Sequence, residues 1–100
     1  MSSSEIYTVD EIEIVLRKEC DTIFTIKERL ERAKMVSEEK YHIKKHVHTV
    51  IVEENSIILT LIEYQNRWVL GGLINEIRKI IDGEAGVMTK KSQIKEIIFH

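Results

Sequence analysis

The stretch His48-Thr49-Val50-Ile51-Val52-Glu53, then Glu54-Asn55, then Ser56-Ile57-Ile58-Leu59-Thr60-Leu61-Ile62-Glu63-Tyr64 decides the fold. Both runs are rich in Val, Ile, Leu and Thr, which suit a pleated, half-buried surface, and a two-residue spacer joins them. The pattern predicts an antiparallel hairpin. A two-residue loop sets its register: Val52 opposite Ile57, Val50 opposite Leu59, His48 opposite Leu61 and His46 opposite Glu63. The other face then carries Ile51 with Ile58, Thr49 with Thr60, and Val47 with Ile62. An antiparallel sheet with one wet face alternates apolar with polar residues, whereas both faces here are apolar. The domain's own helices can cover one of them. In a chain of 100 residues the other is expected to meet a second chain.

On the N-terminal side, Thr8-Val9-Asp10-Glu11 fits a capping box. Ile12, Leu16, Ile23, Ile26, Leu30 and Ala33 follow at helical spacing, which predicts a helix from 9 to about 34. Further cap signals at Thr25 and Ser37 would break it into 9–21, 26–34 and 38–45. On the C-terminal side, Arg67-Trp68-Val69-Leu70 is expected to add a third strand, because Gly71-Gly72 inside a helix would cost ~1 kcal/mol each. A helix then carries Leu73, Ile74, Ile77, Ile80 and Ile81 and stops at Gly83. Residues 92–100 form a final strand or a short helix. The class is α+β, with residues 1–7 as a flexible leader and 8–100 as a single domain. A short first strand at Ile6-Tyr7-Thr8 would instead give the order β-α-β-β-α-β, which resembles ferredoxin-like domains. Splitting the first helix would give a winged helix-turn-helix.

Composition excludes several functions. The formal charge is −2, with one cysteine and no proline, so neither an internal disulfide nor a multi-thiolate zinc site can form. No apolar run is long enough to span a bilayer, and residues 1–5 lack the basic and apolar parts of a secretory signal. An intracellular, cytoplasmic protein without membrane attachment is expected. Gly71-Gly72, Gly83 and Gly86 match neither a P-loop nor a dinucleotide fingerprint. Cys20 reads as a small packing residue, and Asp10, Asp21 and Asp82 sit where helix capping explains them. The pairs Glu38-Glu39 and Glu53-Glu54 diverge. No catalytic constellation is visible, so no enzyme activity and no cofactor are expected.

Residues 40–48 are the one distinctly basic block and hold three of the four histidines. Lys40, Tyr41, His42, Lys44, Lys45 and His46 would form a recognition surface if 38–45 were the second helix of a winged helix-turn-helix. The hairpin tip, Glu53-Glu54-Asn55, would then carry the wrong charge for a wing on phosphate. His42 with His46 on a helix, or His46 with His48 on a strand, are weak metal candidates. The spacing His46-x-His48-x4-Glu53 resembles one cupin metal motif but lacks its flanking glycines, and the chain is short for a cupin barrel.

The reading that follows is a non-enzymatic interaction or regulatory module. It associates with itself, as a homodimer, or docks as a small subunit of a larger complex. The expected contact residues are Ile12, Leu16, Ile23 and Leu30 on the first helix, Val50, Val52, Ile57, Leu59 and Leu61 on the hairpin, and Trp68 as an anchor. On this expectation Leu59→Lys dissociates the assembly and leaves the helices. The alternative is a dimeric regulator that binds nucleic acid through residues 40–48.

Overall fold

A computed structural model of the chain describes residues 9–18, 22–35, 42–65, 67–83 and 92–100. Seven elements follow one another: β1 (Val9–Leu16), α1 (Ile23–Met35), α2 (His42–His46), β2 (Val47–Glu53), β3 (Ser56–Gln65), α3 (Arg67–Asp82) and β4 (Ile94–Phe99). The strands form one antiparallel sheet in the order β2-β3-β1-β4. The class is α+β. The element order is β-α-β-β-α-β with one additional helical turn, α2, before β2, but the first strand is Val9–Leu16, and the strand expected at Ile6-Tyr7-Thr8 lies outside the described residues. Among the described residues no winged helix-turn-helix is formed.

The first strand replaces the expected first half of a helix. Residues 9–16 alternate buried Ile12, Ile14 and Leu16 with half-buried Glu11, Glu13 and Val15. A four-residue gap such as Ile12 to Leu16 is close to one helical turn and is also two strand repeats. The run of β-branched residues and the sheet partners on both sides decide for the strand. Ile12 pairs with Leu59 and Phe99, and Ile14 with Ile57 and Ile97. Asp10 therefore lies in a strand and caps no helix. The helix proper starts at Ile23, where the Thr22 carbonyl accepts the Thr25 and Ile26 amides at 2.8 and 3.2 Å.

The hairpin turns at Glu54-Asn55, with Glu54 in the left-handed region at φ 54°. Its tip has the expected register, Val52 with Ile57 and Val50 with Leu59. Nearer α2 the register shifts between Val47 and Thr49, so Val47, not His48, lies opposite Leu61. This bulge turns Val47 inward, where it is buried, and leaves His48 exposed.

No third strand follows Tyr64, because α3 begins at Arg67 and runs through both glycines. A β-carbon on Gly72 would come within 2.6 Å of His42 Nε2, whereas one on Gly71 would meet nothing within 4 Å. Close approach of α2 thus offsets the low helix propensity of Gly72. Gly83, at φ 82°, ends the helix by donating its amide to the Lys79 carbonyl at 2.8 Å. Asp82 does not cap α3; it accepts bonds from Ser92 Oγ and from the Gln93 amide, and so ties the helix end to the start of β4. Residues 94–99 resolve the tail as a strand.

One apolar cluster joins the sheet to the helices. Ile26 and Leu30 of α1, Ile43 of α2, and Leu70, Leu73, Ile77 and Ile81 of α3 pack with Ile12, Ile14, Leu16, Val50, Ile57 and Leu59. All three helices therefore cover the same face of the sheet.

The two adjacent glycines give opposite expectations in a denaturant unfolding curve. Gly71→Ala should stabilise the protein by roughly 0.8–1 kcal/mol, the propensity difference at an open helix position. Gly72→Ala should lose stability despite the same propensity gain, because the His42 ring must move. Equal shifts of the two midpoints would contradict this placement of α2 against α3.

Candidate interaction surface

The strand pairing defines what lies on the face that the helices leave open. Its central row runs Ile51, Ile58, Glu13, Ile98 across β2, β3, β1 and β4. On one side of it lie Thr49, Thr60 and Glu11, with the His100 backbone paired to Glu11. On the other lie Glu53, Ser56, Val15 and Glu96. Ile51 is 45% exposed, and Ile62, further along the same side of β3, is 55% exposed. Thr49 and Thr60 are joined through their hydroxyls, which satisfies the polar groups of that row locally.

Glu13 sits inside the central apolar row and is held on both carboxylate oxygens. Ser56 Oγ donates to Oε2 at 3.0 Å, and His100 Nε2 lies 3.0 Å from Oε1. The His100 bond, then the Ser56 bond, hold this carboxyl below the ordinary glutamate value of 4.5, against a smaller opposing effect of burial. Among the described residues these three rows hold no lysine or arginine, so the face is apolar with an acidic border.

Most of the contact residues expected from sequence lie in the core. Ile12, Leu16, Leu30, Val50, Ile57, Leu59 and Leu61 are all buried under the helices. Ile23 and Val52 are half-buried against the same cluster. Ile12 and Leu16 belong to β1 and not to a helix. The hairpin does have two apolar faces, but the one assigned to a second chain is the one covered by α1 and α3. The open one carries Ile51, Ile58 and Ile62. Trp68 falls in the first turn of α3, and its side chain lies outside the described residues.

The basic block is divided. Lys40 and Tyr41 lie outside the described residues, as do Cys20, Asp21 and the pair Glu38-Glu39. His42 turns inward onto Gly72, and its backbone amide donates to Glu76 Oε2 of α3 at 2.7 Å. The rings of His42 and His46 stack, with centroids 5.7 Å apart and planes 21° from parallel. Lys44 is half-buried and Lys45 exposed. Lys34, from the last turn of α1, donates to the His48 carbonyl at the start of β2. Among the described residues no three His, Cys, Asp or Glu side chains converge as a metal site. No helix among them is long and apolar enough to cross a membrane.

No family model, curated protein or solved structure matches this chain. What it can do is therefore argued from its own surfaces. Where the β1–β3 register jumps, from Val9 opposite Gln65 to Glu11 opposite Thr60, the strands part. Asp10, Leu61, Ile62 and Glu63 line an open groove of about 600 Å³ there. It has two carboxylates and no nucleophile or base beside them among its described lining residues. Among the described residues the row Ile51, Ile58, Ile98 is an apolar row of the sheet that no helix covers. Sequence periodicity missed it because alternation alone does not say which face the helices take. The Thr49/Thr60 pair on that face was the available signal.

The bonds to Glu13 give a sign for acid stability. Its carboxyl titrates lower in the fold than in the unfolded chain, so the unfolded chain takes up the proton more readily as the pH falls. The stabilisation is present above pH 4.5, the ordinary value, and is lost as the pH falls through the lowered folded value. In urea titrations, Glu13→Gln should lower the midpoint at pH 6 and reduce the further drop between pH 6 and pH 3.5. An unchanged pH dependence in Glu13→Gln would show that these bonds do not contribute.

Proposed function

We propose that this protein is a non-enzymatic interaction module whose open sheet face is covered by a second copy of the chain. The row of exposed Ile51 and half-buried Ile58 and Ile98, with exposed Ile62 beside it, is the observation that carries the reading. Each buried isoleucine gains roughly 1.5–3 kcal/mol on leaving water, before the ordering costs of association are subtracted.

Dimensions set the strength expected of such a contact. Four strands at ~4.8 Å span about 19 Å, and six residues at ~3.3 Å span about 20 Å. The footprint is then roughly 400 Å² per copy in projection. A standard interface buries ~800 Å² per partner, so association through this face belongs to the weak, transient class. A two-fold axis along the strands places each copy's Ile51 over the other's Ile98 and keeps the two Glu13 carboxylates on different strands. Docking of the same face onto a larger assembly is the related reading when no self-association occurs.

Nucleic-acid binding has one observation in its favour. α1, whose last turn carries Arg32 and Lys34, packs against α2, which carries Lys44 and Lys45. This concentrates cations at one corner, away from the acid-bordered sheet face. Salt separates the two readings. Phosphate contacts weaken steeply with added salt, whereas an apolar face is not weakened.

Sedimentation between about 5 and 500 µM tests the proposal, a range that brackets a weak dimer. The wild type should pass from single-chain to dimeric mass, and 0.5 M salt should not reverse it. The double variant Ile51→Lys/Ile98→Lys should stay single at every concentration with an unchanged circular dichroism spectrum. A single-chain mass for the wild type throughout would overturn self-association. Leu59→Lys, in contrast, should unfold the domain, at a cost of about 4 kcal/mol or more for a charge forced into the core.

A further inference from the structure

The junction of α2 and α3 contains an arrangement that the sheet face does not require. His42 and His46 lie one turn apart on the same short helix, with their rings stacked. The His42 ring rests on Gly72, at a position where any larger residue would collide with Nε2. Its Nδ1 is buried and meets no hydrogen-bond partner among the described residues. The amide of His42 is bound by Glu76, so the start of α2 is fastened to α3 through backbone and ring together. Beneath them Ile43 is fully buried.

We propose that the His42–His46 stack is an acid-operated catch, which holds α2 on α3 while the His46 ring is neutral and releases it when that ring takes up a proton. The physical reason is the geometry. His46 cannot carry a charge without setting it against the stacked ring of His42 and beside Lys45.

The surroundings of His46 favour its neutral form. Burial is the largest influence holding His46 below the ordinary histidine value of 6.5; His42 and Lys45 on its own helix act in the same direction. Glu76 from α3 and Glu63 from β3 act in the opposite direction and are outweighed. From α1, Lys34 adds a further positive charge nearby, held at the His48 carbonyl of β2. The folded state therefore binds its proton less readily than the unfolded chain. The stabilisation is complete above pH 6.5 and is lost as the pH falls below that value through the folded one. Release uncovers Ile43 and the Gly72 side of α3, while the sheet and its contacts with α1 remain.

Hydrogen exchange on the intact chain, corrected for intrinsic rates, tests the catch. Between pH 7.5 and pH 5.0, protection of amides 43–46 should fall by roughly an order of magnitude. Amides of β1 and β3 should keep their protection. His46→Phe, which keeps an aromatic ring but cannot be protonated, should make the 43–46 response flat. The proposal is overturned if amides 43–46 follow those of β1 across the range, or if His46→Phe keeps the wild-type response. Should that variant fail to fold, the wild-type comparison of 43–46 with β1 decides alone.

Discussion

β1 is the strand on which the other elements depend. It lies inside the sheet, with β3 on one edge and β4 on the other, and its inward residues Ile12 and Ile14 have no exposed surface. Both sets of its backbone groups are therefore satisfied by strands that follow it at long sequence distance. With those pairings fixed, alternation places Glu11, Glu13 and Val15 on the opposite side. The composition of the open face follows from the burial of Ile12 and Ile14, and so does the position of the carboxylate at its centre.

The hairpin was legible because two independent signals agreed there. Its β-branched runs gave the strands, and the two-residue spacer gave the register at the tip. The register failed beyond Thr49, where a bulge absorbs the passage from α2 directly into β2, and a bulge has no reliable mark in one sequence. Residues 9–16 were misread because a spacing of four serves both periodicities, and the Thr8-to-Glu11 capping pattern then tipped the choice. The glycines of α3 were misread for a different reason. Propensity is a local quantity, whereas the approach of His42 to Gly72 is a tertiary one, made by a residue thirty positions earlier in the chain.

The surface was legible only in outline. Two apolar faces on one hairpin indicated that something must cover each, and the helices cover one. Which one depends on where β1 and β4 sit in the sheet, and the sequence pattern offers β1 as a helix and β4 only as a strand or a short helix. The threonines were the clue: a paired Thr49 and Thr60 can meet their own hydrogen-bonding needs at a surface, and the side holding Val50, Val52, Ile57 and Leu59 has no such pair. The histidine cluster was noticed for its composition. Its arrangement was not legible, because the glycine that receives the ring and the glutamate that binds the amide both belong to α3.

The position of β1 also has a consequence for how the chain folds. Glu13 meets His100 across a separation of 87 positions. β1 precedes both of its sheet partners in the chain, with isoleucines on one side, and β4 is the last of the described strands to follow it. Closing so long a loop costs entropy before the pairing returns any of it, and folds dominated by such distant pairings form slowly. Until those distant pairings form, β1 offers unpaired edges to any other strand, the liability that slow long-range pairing carries.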